Sequence, residues 1–175
     1  MRKNTDAENP NFDSRSWVAG GCVQKKLGVF GSRSLHDERV MLLILEELRA
    51  GRYTTVVTCQ EPQGVSECAQ KVCKSYGYPL ECHFLNMRYL RGAFEQRSIE
   101  IVKTCDAFLV IHDGESKGTA NELKLVEKSG KPYKYEQLEK SEYDRSVAFN
   151  IENEWGGDNN ENKNGLEHAI EKLEL

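Results

Sequence analysis

The sequence predicts an α/β domain built on an open, doubly wound, mainly parallel sheet of about five strands, with helices on both faces. Three features of the chain carry that expectation. Short apolar, branched runs alternate with amphipathic stretches of helical spacing from Lys26 to Leu138. The run AFLVI at 107–111 is apolar without interruption, as in a parallel strand covered on both faces. Glycines punctuate the amphipathic stretches at Gly51, Gly77 and Gly130, where helices end. Strict alternation implies right-handed crossovers, and about five strands are too few for a closed barrel of eight.

KLGVFG (26–31) is a β-type run that ends at glycine. Ser34 and Asp37 signal a helix start, Val40, Met41, Ile44, Leu45 and Leu48 form its apolar face, and Gly51 closes it. TTVVTC (54–59) is rich in branched residues and predicts a second strand. After the loop QEPQG (60–64) a second helix starts near Ser66, with Ala69, Val72, Cys73 and Tyr76 at helical spacing. LECHFL (80–85) alternates, which turns Leu80, Cys82 and Phe84 inward on a strand near one edge. A third helix over about 92–105 carries Phe94, Ser98, Ile101, Val102 and Cys105 on one stripe. Beyond the 107–111 strand, Thr119 opens a fourth helix with Leu123 and Val126 inward, and KPYKYEQL (131–138) is the last strand.

The domain therefore spans 25–138. Residues 1–24 form a polar N-terminal arm in which Trp17 and Val18 could pack, and which lacks the apolar core of a signal peptide. Residues 139–175 form an acidic, Asn-rich C-terminal extension. Within it VAFNI (147–151) predicts one further strand. GLEHAIEKLEL (165–175) predicts a short helix aligned on Leu166, Ile170 and Leu173, able to dock on the domain or on a partner subunit.

Composition narrows the function classes. The chain has 175 residues and a net charge of −4, with no basic stripe, so nucleic acid is not an expected partner. No apolar run approaches the ~20 residues that span a bilayer, so no membrane partner is expected. The six cysteines, Cys22, Cys59, Cys68, Cys73, Cys82 and Cys105, contain no CxxC pair and no zinc-type spacing with histidine. No metal or cofactor is expected, and a reducing, cytoplasmic setting suits these thiols.

Doubly wound sheets bind ligands at the carboxyl ends of their strands, near the switch in strand order. The loops after the first, second and fourth strands are therefore the candidates. The first offers Gly31, Ser32 and Arg33 before a helix: glycine permits close approach, the helix supplies free amides, and arginine can fork onto phosphate. A tight turn with a solvated arginine is the plainer alternative. The second offers Gly64. The fourth, HDGESKGTANEL (112–123), places Asp113, Gly114, Ser116, Lys117, Gly118 and Thr119 at a buried strand's end, with Glu122 one turn along the helix. T-A-N-E is also a capping box, with Thr119 on the third amide and Glu122 answering. Arg97, on the preceding helix, flanks the stripe that faces the core; its plainer alternative is a surface pair with Glu95 or Glu100. His112 is expected to pack at the strand's end, and His36 to lie exposed in the first helical turn.

Together VFGSR, QGVSECAQKVCKSYG, QRSIEIVKTCDAFLVIHDGESKGT and GKPYKY resemble the SLOG superfamily of Rossmann-like proteins, which includes DprA and the LOG (lysine-decarboxylase-like) phosphoribohydrolases. The resemblance covers roughly Lys26 to Leu138. LOG enzymes carry PGGxGTxxE and an upstream arginine; Gly118, Thr119 and Glu122 match GTxxE, and Arg97 matches the arginine. The first part of the loop departs, since 113–117 is one residue longer, and this DGxSxGT form is similar to the YspA-like branch. That branch implies binding of a nucleotide or nucleotide-derived ligand, in a sensor for instance. The LOG members imply the alternative, an N-glycosidic hydrolase that releases base and ribose 5-phosphate from nucleoside monophosphates. On that implication Glu122 stabilises an oxocarbenium-like state and orients water, Arg97 and Arg33 grip phosphate with the Gly118–Thr119 amides, and Asp113 holds a ribose hydroxyl. Members are often homodimers, which makes a homo-oligomer an expectation here as well.

Overall fold

The structure is a computed structural model and describes residues 24–147. The elements run β1 (Lys26–Gly31), α1 (Glu38–Ala50), β2 (Thr55–Cys59), α2 (Gly64–Tyr76), β3 (Leu80–His83), a 3-10 segment (Met87–Gly92), α3 (Ala93–Thr104), β4 (Ala107–His112), α4 (Lys117–Ser129) and β5 (Tyr133–Gln137). All neighbouring strands pair in parallel, in the order β3-β2-β1-β4-β5. This is the expected Rossmann-like, doubly wound α/β fold. The order reverses between β1 and β4, whose register runs from Leu27 opposite Ala107 to Gly31 opposite Ile111.

Strand alternation divides the core into two layers. Leu27, Val29, Val56, Leu109 and Ile111 face α1 and α2 and pack on Val40, Ile44, Leu48, Val65 and Val72. Phe30, Val57, Phe108 and Val110 face α3 and α4 and pack on Ile101, Val102 and Val126. β4 is buried at every position, as its unbroken apolar run requires. Each such side chain contributes about 1.5–3 kcal/mol on full burial.

Several local expectations give way to tertiary context. β3 is an edge strand only four residues long, with Leu80 exposed and Phe84 beyond its end and 69% exposed, so the alternation there does not face a core. Tyr76 and Phe94 are also exposed, although helical spacing puts them with buried neighbours. Asp37, and not Ser34, caps α1, accepting the Arg39 amide. Ser116, and not Thr119, caps α4. A further helical turn over 142–147 follows β5 and is tied down by buried Asp144, which accepts the His36 amide at 2.6 Å and the Ser141 amide at 2.9 Å. The arm at 1–23, all but the first residue of the 147–151 strand and the 165–175 helix lie outside the described residues; Val147 closes the helical turn. Among the described residues no helix is long and apolar enough to cross a membrane.

Candidate functional site

A cavity of about 780 Å³ opens at the carboxyl rim of the sheet, at the β1/β4 switch point. Its wall takes Gly31, Arg33 and Ser34 from the β1–α1 loop, Cys59 and Glu61 from the end of β2, Phe94, Arg97 and Ser98 from α3, and Asp113, Ser116, Gly118, Thr119 and Glu122 from β4 and α4. Eight of the sequence candidates thus meet at one cavity: Gly31, Arg33, Arg97, Asp113, Ser116, Gly118, Thr119 and Glu122. Ser32, Gly64, Gly114 and Lys117 do not line it.

Ser32 and Asp113 bind the two central loops together. The Ser32 hydroxyl donates to Asp113 Oδ1 at 3.1 Å, and the Asp113 amide donates back to Ser32 Oγ at 3.0 Å. Asp113 Oδ1 also accepts the Glu115 and Ser116 amides at 2.9 and 2.8 Å, an Asx turn, while Ser34 donates to Oδ2. The chain doubles back so tightly because Gly114 adopts φ 84°, a conformation that costs a residue with a Cβ. Burial pushes the Asp113 carboxyl up, but the Ser34 hydroxyl, these two amides and Ser32 outweigh it and hold the group well below the usual carboxylate range. Both carboxylate oxygens of Asp113 are engaged in building the loop, so its geometry is that of a brace. Gly64, with φ 70°, lets α2 start against the β1–α1 loop, since a Cβ there would lie 2.4 Å from Arg33 Cα.

The start of α4 faces the cavity. Ser116 Oγ accepts the Thr119 amide at 3.3 Å, which leaves the first two helical amides, Lys117 and Gly118, without a partner in the helix. Lys117 itself is exposed. Because Ser116 is the cap, Glu122 is released from the capping box that T-A-N-E suggests. Its carboxyl accepts instead from Ser98 Oγ at 3.3 Å, across from α3. Burial pushes the Glu122 carboxyl up to about 7, against the lowering influence of Arg97 and Ser98.

Arg97 is buried, with 4% of its surface exposed, and its partner is neither Glu95 nor Glu100. It donates through Nη2 to Glu61 Oε1 at 2.7 Å. Its Nε is buried and has no acceptor among the described residues. Arg33 forks onto the same carboxylate, with Nη2 3.0 Å from Oε1 and Nε on Oε2. Burial pushes Glu61 up, yet the bonds from Arg33 and Arg97 outweigh it and keep the carboxyl below its ordinary value. Both arginines expected to grip phosphate are thus held by one acid. Sequence reasoning marks the 60–64 loop as part of the rim but does not single out Glu61, and a lone glutamate after a strand carries no periodic signal that would.

His112 and His36 brace the loops around the cavity. His112 Nε2 lies 3.0 Å from the Ser116 carbonyl, which can only accept, so Nε2 carries the proton and Nδ1 takes the Tyr135 hydroxyl at 3.1 Å. His36 is part-buried rather than exposed, and its Nδ1 accepts the Gly64 amide at 3.2 Å.

Comparisons with models of protein families, with curated proteins and with solved structures find no match to this chain.

Proposed function

We propose that this cavity binds a nucleotide or nucleotide-derived, phosphoribosyl ligand at the carboxyl rim of the sheet. The observation that carries the reading is the convergence of buried Arg97, the open amides at the start of α4 and the Glu122 carboxyl on one cavity. The cavity's volume is within the range of about 300–1,000 Å³ usual for small-molecule sites. A helix start favours an anion through its unpartnered amides and its dipole. The resemblance of Gly118, Thr119, Glu122 and Arg97 to the LOG and YspA-like pattern of the SLOG superfamily belongs to the same proposal.

A second reading, cleavage of an N-glycosidic bond in a nucleoside 5′-monophosphate, is favoured by one observation. A carboxyl raised to about 7 is half-protonated near neutrality and suits proton transfer or water activation beside a developing sugar cation. Incubating the full chain with a panel of nucleoside 5′-monophosphates separates the two readings. Calorimetric binding without free base supports a binding domain. Release of base and ribose 5-phosphate, lost in Glu122→Ala with binding kept, supports the hydrolase. A chain that neither binds nor cleaves any member of the panel contradicts both.

A further inference from the structure

The inner stripe of α3 changes character along its length. Ile101 and Val102 are buried against the sheet, whereas one turn earlier Arg97 and Ser98 are buried polar residues and Phe94 is 50% exposed in the cavity wall. The stripe is thus inverted at the cavity, with charge inside and an aromatic ring facing open space. The guanidinium carbons of Arg33 and Arg97 lie 5.7 and 5.5 Å from the ring centroid, within cation–π range. Both arginines are in turn clamped by Glu61, so the ring, the two cations and the acid form one rigid wall. Ser98 links this wall to Glu122, because its hydroxyl lies 3.1 Å from the Phe94 carbonyl and 3.3 Å from the Glu122 carboxylate.

Resting on the nucleotide-binding reading above, we propose that Phe94 is the stacking platform for the planar base of the bound nucleotide. The cavity then selects ligands with an aromatic heterocycle over bare sugar phosphates. A base on this ring lies about one helical turn from Ser98, whose hydroxyl is bonded to Glu122, so the ribose extends toward that carboxyl and the phosphate toward the start of α4. Stacking on an aromatic side chain tolerates any base, so the platform defines the ligand class and leaves the choice of base to other contacts.

The test uses the full chain, as wild type, Phe94→Ala and Phe94→Trp, titrated with nucleoside 5′-monophosphates and with ribose 5-phosphate as the base-free probe. The expected result is that Phe94→Ala weakens nucleotide binding roughly 5- to 100-fold, with ribose 5-phosphate affinity unchanged and Phe94→Trp close to wild type. Because Phe94 is half exposed, the alanine variant is expected to melt within a few degrees of wild type. Equal weakening of both ligands overturns the proposal, since it assigns Phe94 a structural role. Unchanged nucleotide binding with an altered oligomeric state also overturns it, and assigns the ring to the exposed apolar surface of Phe84, Met87, Tyr89 and Leu90. If wild type binds neither probe, the nucleotide-binding reading itself fails; if it binds both and Phe94→Ala changes nothing, only the platform does.

Discussion

Arg97 donates to Glu61 across 2.7 Å, and the same Glu61 carboxylate holds Arg33. The acid gathers two cations at the mouth of the β1/β4 crevice and at the same time neutralises part of their charge. A buried pair of this kind contributes little when intact, but breaking it leaves an uncompensated charge. Glu61→Ala is expected to lower unfolding free energy by about 3 kcal/mol, read from denaturant titration at neutral pH. Its affinity for a nucleoside monophosphate is expected to rise or hold, because the freed guanidiniums lose their internal competitor. A loss of affinity equal to that of Arg97→Ala would make Glu61 a ligand contact.

Glu122 predicts a pH dependence of stability. Its folded-state value, about 7, exceeds the ordinary 4.5, so between those limits the folded chain holds a proton that the unfolded chain has released. Stability therefore falls as pH rises through that window, by on the order of 3 kcal/mol from this group, and the deficit stays constant above it. Glu122→Gln is expected to remove this slope, which thermal melts between pH 4.5 and 7.5 measure as a variant-minus-wild-type difference that grows with pH, with about 4.5 as the point where it begins. A flat difference contradicts the burial of this carboxyl.

Asp113 has the opposite sign. Its folded-state value is depressed, so its contribution is full above the ordinary 3.8 and is lost as pH falls below it. Asp113→Asn is expected to cost about 1–3 kcal/mol at pH 7, because the Ser32 and Ser34 hydroxyls and two amides lose a charged acceptor. The cost shrinks by about pH 3, because below 3.8 the unfolded chain takes up a proton that the folded chain does not. Equilibrium unfolding at both pH values checks this.

Two glycines with nearly the same backbone separate strain from crowding. Gly64 and Gly77 have φ of 70° and 74°, but a Cβ at Gly64 would lie 2.4 Å from Arg33 Cα while one at Gly77 meets nothing within 4 Å. Gly77→Ala is expected to cost about 1 kcal/mol of conformational strain. Gly64→Ala is expected to cost at least about 3 kcal/mol, since the α1 and α2 entrances must also move apart, and to weaken ligand binding with it. Equal melting temperatures for the two variants would contradict the close loop contact.

The fold was legible in the sequence because local signals and burial agree there. The uninterrupted run 107–111, the branched 55–59 strand and the glycines after α1, α2 and α4 each have one structural solution. The rim was legible as a place, since strand order alone sends the loops after β1, β2 and β4 to one edge. Its chemistry was less so. Whether Arg97 is a surface residue or a buried one depends on Glu61, 36 positions away, and no periodicity encodes that meeting. Phe94 and Tyr76 fit an apolar stripe by spacing but lie at the ends of their helices, beyond the area the sheet covers. Ser116 and Thr119 both suit a helix cap, and the choice between them falls to Asp113, which draws the Ser116 amide into its turn.

On the proposed reading, the rim cavity recognises the phosphate of a nucleotide through Arg97 and the start of α4. Calorimetric titration of wild type and Arg97→Ala with a nucleoside 5′-monophosphate and with the matching nucleoside tests it most directly. Wild type is expected to prefer the phosphorylated ligand by about tenfold or more, and the variant to lose that preference. Equal affinity of wild type for the two ligands, or a preference that survives removal of the guanidinium, contradicts it.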